Sequence, residues 1–226
     1  MSAPWLKLLL VWLVLCIVLV KVVDAASAYQ NRVHPFLLCL GDSVTLGGAD
    51  RITPGQEFCT LMARAAGRRP ANAGKYNDTA TNAEARLPAI LASLPVPPAC
   101  MTVMLGENDI FDGTGPDAYR KALENIIAYA RKQQIPVTLI SPFPATHPKI
   151  VGHEKPYLDV LGDIAEREGL PYIDLYKELD KTQLPLSSKE TISFDEQHPN
   201  ERGHAAIFAM CKKPEYAAAC ACNKNP

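Results

Sequence analysis

A serine, a histidine and an aspartate in this sequence have the types and local settings that ester hydrolysis requires. Ser43 ends a Gly-Asp-Ser tripeptide directly after an apolar run, and Asp195 and His198 are three residues apart near the other end of the chain. A serine hydroxyl is a weak nucleophile near neutral pH unless an imidazole takes its proton, and a carboxylate must hold that imidazole in the correct tautomer. We therefore predict Ser43 as nucleophile, His198 as base and Asp195 as the residue that orients the base.

Two further motifs offer hydrogen-bond donors for the oxyanion that forms when a serine attacks an ester. Gly74 ends an Asn-Ala-Gly tripeptide, and Asn108 lies in a Gly-Glu-Asn-Asp tetrapeptide. A glycine N–H allows close approach because no Cβ stands in the way, and an amide NH2 donates without being lost by deprotonation. The predicted oxyanion hole consists of the Ser43 N–H, the Gly74 N–H and the Asn108 side chain.

Each motif taken alone also has an ordinary structural interpretation, as a turn, a helix cap or a surface ion pair. The order of all four motifs, each in a predicted loop, favours the catalytic interpretation. We interpret His204 as structural because it lies in the first turns of the last predicted helix. Asp42 is interpreted as structural because its side chain should point away from that of Ser43, and Asp109 is interpreted in the same way.

The elements that must position these residues follow from the hydrophobic pattern. The predicted strands are apolar runs without alternation, as expected for strands buried on both faces. They cover residues 36–40, 100–105, 137–140 and 172–175, with a weaker strand near Asn72. Helix signals lie between them: a capping box from Thr53 to Gln56, Pro116, Pro156 and Asn200. This alternation predicts a parallel sheet between helices, with ligands bound beyond the carboxyl ends of the strands.

Composition and charge limit the class of protein. The chain has 226 residues, 48% of them hydrophobic and 21% charged, and a formal net charge of −1. This suits a globular domain and does not suit a nucleic-acid-binding protein, which usually carries a basic patch.

The N-terminus reads as a targeting segment. Residues 8–20 are uninterrupted apolar residues after Lys7, and Ala26-Ser27-Ala28 offers a cleavage site. We predict a signal peptide or an N-terminal membrane anchor over 1–28, a catalytic domain over 29–214 and a cysteine-containing tail over 215–226. The chain is thus expected to be exported: periplasmic, secreted or membrane-anchored.

Six cysteines follow this segment, an even number that suits disulfides in an exported chain. Cys39 lies in a predicted core strand and is interpreted as a free buried thiol. We favour a disulfide that ties the tail to the last predicted helix, between Cys211 and either Cys220 or Cys222.

The motifs LGDSVTLG, LGENDI and FDEQHPNERGH resemble those of the SGNH or GDSL-type serine hydrolases, over about residues 36–204. The resemblance implies a three-layer α/β/α sandwich with a central parallel sheet (flavodoxin-like SGNH hydrolase fold). It also implies catalytic roles for Ser43, His198 and Asp195 and oxyanion roles for Ser43, Gly74 and Asn108. The family often has a second glycine and a threonine after the glycine of its second motif, and here Lys75 follows Gly74.

The leading hypothesis is a serine esterase that needs no cofactor or metal and forms an acyl-enzyme intermediate. The substrate would be a small-molecule, carbohydrate or lipid ester or thioester, such as an acetylated polysaccharide, a short-chain ester or a lysolipid. Contact with a membrane would come only through an uncleaved N-terminal segment. The alternatives are a metal-dependent phosphoesterase and a catalytically silent carbohydrate-binding module on the same fold. Phe143, Ile150 and Leu186 are candidates either for an acyl slot or for loop anchors.

Overall fold

An N-terminal helix, α1 (Pro4–Val33), belongs to one unit of the chain, and a second unit begins at Phe36. The computed structural model describes residues 4–33, 35–48, 51–179 and 192–220. In these described stretches, no helix has the length and apolarity needed to cross a membrane. The predicted processing of residues 1–28 stays a prediction.

A five-stranded parallel sheet forms the centre of the second unit. Its spatial order is β2-β1-β3-β4-β5, and every neighbouring pair is parallel. All five predicted strands are confirmed, although the last is shorter than expected. The bounds are β1 (Phe36–Gly41), β2 (Arg69–Gly74), β3 (Cys100–Met104), β4 (Val137–Ile140) and β5 (Tyr172–Ile173). The chain runs from β1 outward to β2 and then returns to β3 on the other side of β1, so the crevice for a ligand is expected between the ends of β1 and β3.

Helices cover both faces of the sheet and complete the predicted sandwich. One apolar cluster packs α4, α6 and α7 on one face, and a second packs α3 and α9 on the other. The described helices of this unit are α2 (Ser43–Leu46), α3 (Phe58–Ala65), α4 (Ala80–Ser93), α5 (Glu107–Asp112), α6 (Pro116–Lys132), α7 (Lys155–Glu168), α8 (Leu175–Glu178), α9 (Glu201–Met210) and α10 (Pro214–Cys220). The three-layer fold is therefore confirmed.

The helix signals were right at three of four positions. Pro116 opens α6, Pro156 lies in the first turn of α7, and the Asn200 side chain caps α9. The predicted start at Thr53 is wrong, since α3 begins only at Phe58. Residues before it form a turn in which Gly55 has a φ of +94° and donates its N–H to the Glu57 carboxylate. Helix α4 was not predicted, because Pro88 lies inside it and interrupts the helical pattern.

Two disulfides are described, and one of them corrects the prediction for Cys39. This residue is bonded to Cys59 and ties β1 to α3, so it is not a free thiol. The Cα atoms of Cys39 and Cys59 are 6.0 Å apart, a separation that suits a disulfide. The Cys211–Cys220 bond confirms that the tail is pinned through Cys211, whereas Cys222 lies outside the described residues.

Candidate active site

Ser43 lies at a sharp strand-to-helix turn. Strand β1 ends at Gly41, and Ser43 is the first residue of α2, with its neighbour Asp42 as the N-cap. A Cβ on Gly41 would lie 2.6 Å from the Met104 carbonyl oxygen, so only glycine fits between β1 and β3 here. The turn holds Ser43 at the carboxyl end of the sheet, where the alternation of elements predicted the site.

The structure brings together the three residues predicted as a triad. Ser43 Oγ lies 3.1 Å from Nε2 of His198, which is 155 positions away in the chain. On the other side of the ring, His198 Nδ1 lies 3.1 Å from each carboxylate oxygen of Asp195. Serine, imidazole and carboxylate thus form one continuous hydrogen-bonded chain, which is the geometry of an activated serine.

Local hydrogen bonds fix the Asp195 carboxylate. Its Oδ1 accepts the N–H groups of Gln197 and His198 at 2.9 and 2.7 Å, and its Oδ2 accepts from the Arg51 guanidinium at 2.8 Å. Burial opposes ionisation of Asp195, but the His198 and Gln197 N–H groups and the imidazole outweigh it and lower its pKa from 3.8 to about 2. The carboxylate is therefore ionised at any pH at which a histidine can act as base. Sequence reasoning missed Arg51, which is distant in the chain and has no motif of its own.

Asn108 lies close to where it was predicted. It is the second residue of α5, directly after β3, and shares a cavity wall with Ser43 and His198. One N–H of its amide donates to the Asp78 carbonyl at 3.1 Å. An amide NH2 has a second donor, and that donor remains for a ligand in the cavity.

Gly74 ends β2 and lies against the backbone of α2. Its N–H donates to Asn72 Oδ1 at 2.9 Å, while Asn72 Nδ2 donates to the Thr45 carbonyl of α2 at 2.7 Å. A Cβ on Gly74 would lie 2.6 Å from the Leu46 Cα. Gly74 therefore allows β2 to pack tightly against the nucleophile turn, and its N–H is engaged within its own loop.

Asn77, which sequence reasoning missed, lines the cavity three residues further on. Its φ is +53°, in the left-handed region that glycine and asparagine enter most readily. Asparagine in an Asn-Asp-Thr turn is the signal that could have marked this position. Among residues 74–78, Asn77 is the one that lines the cavity beside Ser43.

Three buried carboxyl groups belong to residues at or next to the site, and one of them, Glu107, lines its cavity. Burial raises the pKa of Asp42 from 3.8 to about 7 and that of Asp109 to about 6. Glu107 is only 3% exposed, and burial followed by the charges of Asp42 and Asp195 raises its pKa well above the usual range. Asp42 accepts the Val44 N–H, and Asp109 accepts the N–H at the start of α4, so both have the structural roles that we expected.

The cavity over Ser43 and His198 has a volume of about 370 Å³. Polar side chains dominate its lining, with one aromatic ring. The residues are Ser43, Asn77, Glu107, Asn108, Phe111, Asp112, Gln197 and His198. Such a lining suits a small or hydroxylated ligand better than a long hydrocarbon chain.

Other candidates from the sequence fall away from the cavity. His204 is fully buried, its Nδ1 accepts the Phe58 N–H, and its imidazole stacks on the Phe58 ring. Burial lowers the pKa of His204 to about 4. Phe143 and Ile150 are core residues on opposite faces of the sheet, so they anchor the loop that follows β4. Leu186 lies outside the described residues.

Residues 39–206 match the model of the GDSL-like lipase/acylhydrolase family. Among curated protein sequences, none matches this chain.

Solved structures share the fold. A lipolytic protein of the G-D-S-L family from Desulfitobacterium hafniense superposes with a TM-score of 0.65 at 15% identity, over 83% of this chain and 99% of that one. An aryl esterase from M. smegmatis gives a TM-score of 0.64 at 19% identity, over 79% and 97%. The protein TesA gives 0.63 at 23% identity, over 80% and 99%.

Proposed function

We propose that this chain, which belongs to the GDSL-like lipase/acylhydrolase family and is thus an ester-bond hydrolase, uses Ser43, His198 and Asp195 as its catalytic triad. The observation that carries this proposal is the hydrogen-bonded chain from Ser43 Oγ through His198 to Asp195, with 3.1 Å at each link. Ser43 and His198 also line the same cavity, so a substrate there can reach both.

In the first half of the reaction, Ser43 Oγ attacks the ester carbonyl carbon while His198 Nε2 takes the hydroxyl proton. The tetrahedral intermediate then expels the alcohol, which receives that proton from His198, and an acyl group remains on Ser43. In the second half, water attacks the acyl carbon while His198 Nε2 takes a proton from it. The second tetrahedral intermediate then breaks its bond to Ser43 Oγ, which receives that proton from His198, and the carboxylic acid leaves. Asp195 stays ionised throughout and stabilises the imidazolium, in keeping with its lowered pKa.

The oxyanion of each intermediate needs donors already in place. We assign two of them as predicted, to the Ser43 N–H and to the free amide N–H of Asn108. For the third we favour the backbone at Asn77 over that of Gly74, because Asn77 borders the cavity and the Gly74 N–H is bonded to Asn72.

The polar cavity of about 370 Å³ favours a substrate with a short acyl group on a hydroxylated alcohol. An acetylated carbohydrate fits this description better than a lysolipid does. We also propose that the protein is exported. The uninterrupted apolar run of residues 8–20 and the disulfides Cys39–Cys59 and Cys211–Cys220 support this, since disulfides persist in oxidising compartments.

The test is hydrolysis of p-nitrophenyl acetate, butyrate and decanoate by the purified chain and by Ser43→Ala, with and without excess EDTA. We expect turnover that Ser43→Ala abolishes, that EDTA leaves unchanged and that falls with acyl length. His204→Gln is a matched control, because it replaces a buried histidine that does not line the cavity. Turnover that survives in folded Ser43→Ala, or that EDTA removes, would contradict the triad.

A further inference from the structure

Arg86 makes an unusually dense set of contacts behind the candidate active site. It projects from α4 and donates through Nε to Asp78 Oδ2 at 2.6 Å. Its Nη2 donates to the carbonyl oxygens of Gly41 and Ala73, at 3.0 and 2.6 Å. The Asp78 side chain is 1% exposed and that of Arg86 20%, so most of this arrangement is shielded from water.

The three acceptors belong to the three segments that surround the nucleophile. Gly41 ends β1 two residues before Ser43, Ala73 lies in β2, and Asp78 follows Asn77 in the connecting loop. One planar guanidinium therefore holds two strand ends and a loop in a fixed relative position, which its rigid fork of donors suits.

The same loop accepts a hydrogen bond from the Asn108 side chain, which we assign as an oxyanion donor. The Asp78 carbonyl accepts the Asn108 amide at 3.1 Å, and the Asp109 carboxylate accepts the Ala80 N–H at 3.0 and 3.2 Å. Asp78 therefore links the two residues: its backbone carbonyl orients the Asn108 amide, and its carboxylate accepts a hydrogen bond from Arg86.

We propose that Arg86 is a positioning residue of the oxyanion hole: by holding Asp78 against the ends of β1 and β2, it sets where the Asn108 amide and the Asn77 backbone stand relative to Ser43. This inference rests on the proposed function. Arg86 itself does not line the cavity and acts on the reaction only through Asp78 and Asn108.

The consequence for catalysis is specific. Donors of an oxyanion hole stabilise the transition state more than the bound substrate, so their displacement lowers kcat and leaves KM nearly unchanged. A purely structural ion pair would instead change the fraction of folded protein and leave the kinetics of the folded molecules intact.

Five variants separate these cases. Arg86→Lys keeps the charge and loses the planar fork. Arg86→Met with Asp78→Asn removes both charges, so no buried carboxylate is left alone. Asn108→Ala removes the amide donor, both by itself and together with the Arg86 and Asp78 changes. Arg120→Ala is the matched control, because Arg120 pairs with Asp163 on the surface.

The readouts are kcat and KM on p-nitrophenyl acetate, the melting temperature, and the rate at which a fluorophosphonate labels Ser43, followed by intact mass. In the labelling reaction Ser43 Oγ bonds to phosphorus, fluoride leaves and His198 takes the hydroxyl proton, so no natural substrate is needed.

We expect the neutral pair to fold and to lose about 10²-fold in kcat and in labelling rate, comparable with removal of one oxyanion donor. Arg86→Lys should fall between the neutral pair and the wild type. In the Asn108→Ala background the neutral pair should cost far less than it does alone, because both changes act on the same donor.

Wild-type kinetics in a folded neutral pair, or fully additive losses with Asn108→Ala, would overturn the role of Arg86 and leave the triad standing. Labelling and turnover that persist in Ser43→Ala would instead overturn the proposed function. The two failures are therefore distinguishable.

Discussion

Replacing Asp42 with asparagine should stabilise this protein at alkaline pH and leave its stability at acidic pH nearly unchanged. Asp42 precedes Ser43, is only 3% exposed, and has its pKa raised from 3.8 to about 7, first by burial and then by the charges of Asp109 and Asp78. Asparagine retains the oxygen that accepts the Val44 N–H at 2.9 Å, so the helix cap survives the substitution.

The sign and size of the effect follow from proton linkage. Between pH 3.8 and about 7 the folded protein keeps a proton on Asp42 that the unfolded chain releases. The free energy of unfolding therefore falls as pH rises through this window and levels off above it. A shift of this size is worth up to about 4 kcal/mol, at about 1.36 kcal/mol per pKa unit. Asp42→Asn, which cannot ionise, does not undergo this loss.

Urea unfolding with intact disulfides at pH 4, 6 and 8 measures the difference. The variant should match the wild type at pH 4 and exceed it by several kcal/mol at pH 8, while the exposed Asp159→Asn should show no such divergence. A difference that is the same at pH 4 and pH 8, or a variant less stable than wild type at pH 8, would refute the assignment of a raised pKa to Asp42.

Two further predictions concern Asp195 and the disulfide between Cys39 and Cys59. Asp195→Asn should fold normally and lose about 10⁴-fold in kcat, because an amide no longer holds the required tautomer of His198. Esterase assays at several pH values test this prediction, and a loss in kcat below tenfold would contradict it. Replacing both Cys39 and Cys59 with alanine should lower the free energy of unfolding by about 3 kcal/mol, as expected for a crosslink that spans 20 residues. Urea unfolding measures this loss, and a double variant as stable as the wild type would contradict it.

The architecture was readable from the sequence because a parallel sheet needs continuous apolar strands and helices with boundary residues. Residues 36–41 and 137–140 are short, mostly apolar runs without alternation, the pattern expected of strands buried on both sides. Pro116, Pro156 and Asn200 each supplied a local reason for a helix to begin nearby. Where a local signal was ambiguous, as at Thr53, the glycine turn that follows decided the outcome in favour of a later start.

The types and spacing of the candidate-site residues can be read from the sequence, and their catalytic roles stay a prediction. The chemistry of a serine nucleophile requires a base and a carboxylate, and the stretch from Asp195 to His198 offers both within one turn of backbone. The local hydrogen bonds of Asp195 to the N–H groups of Gln197 and His198 depend on spacing in the chain alone. Such short-range geometry can be deduced without a fold.

Tertiary structure alone decided what surrounds these residues. Gly74 and Asn77 are three positions apart, and the tertiary packing determines that Asn77 lines the cavity while Gly74 lies against the backbone of Leu46. Arg51, Arg86 and Cys59 meet Asp195, Gly41 and Cys39 across segments whose relative position no local pattern encodes. Burial sets the pKa of Asp42 and Glu107, and burial is a property of the assembled layers. The sequence determined which atoms could react, and the folded chain determined how each of them is held, shielded and charged.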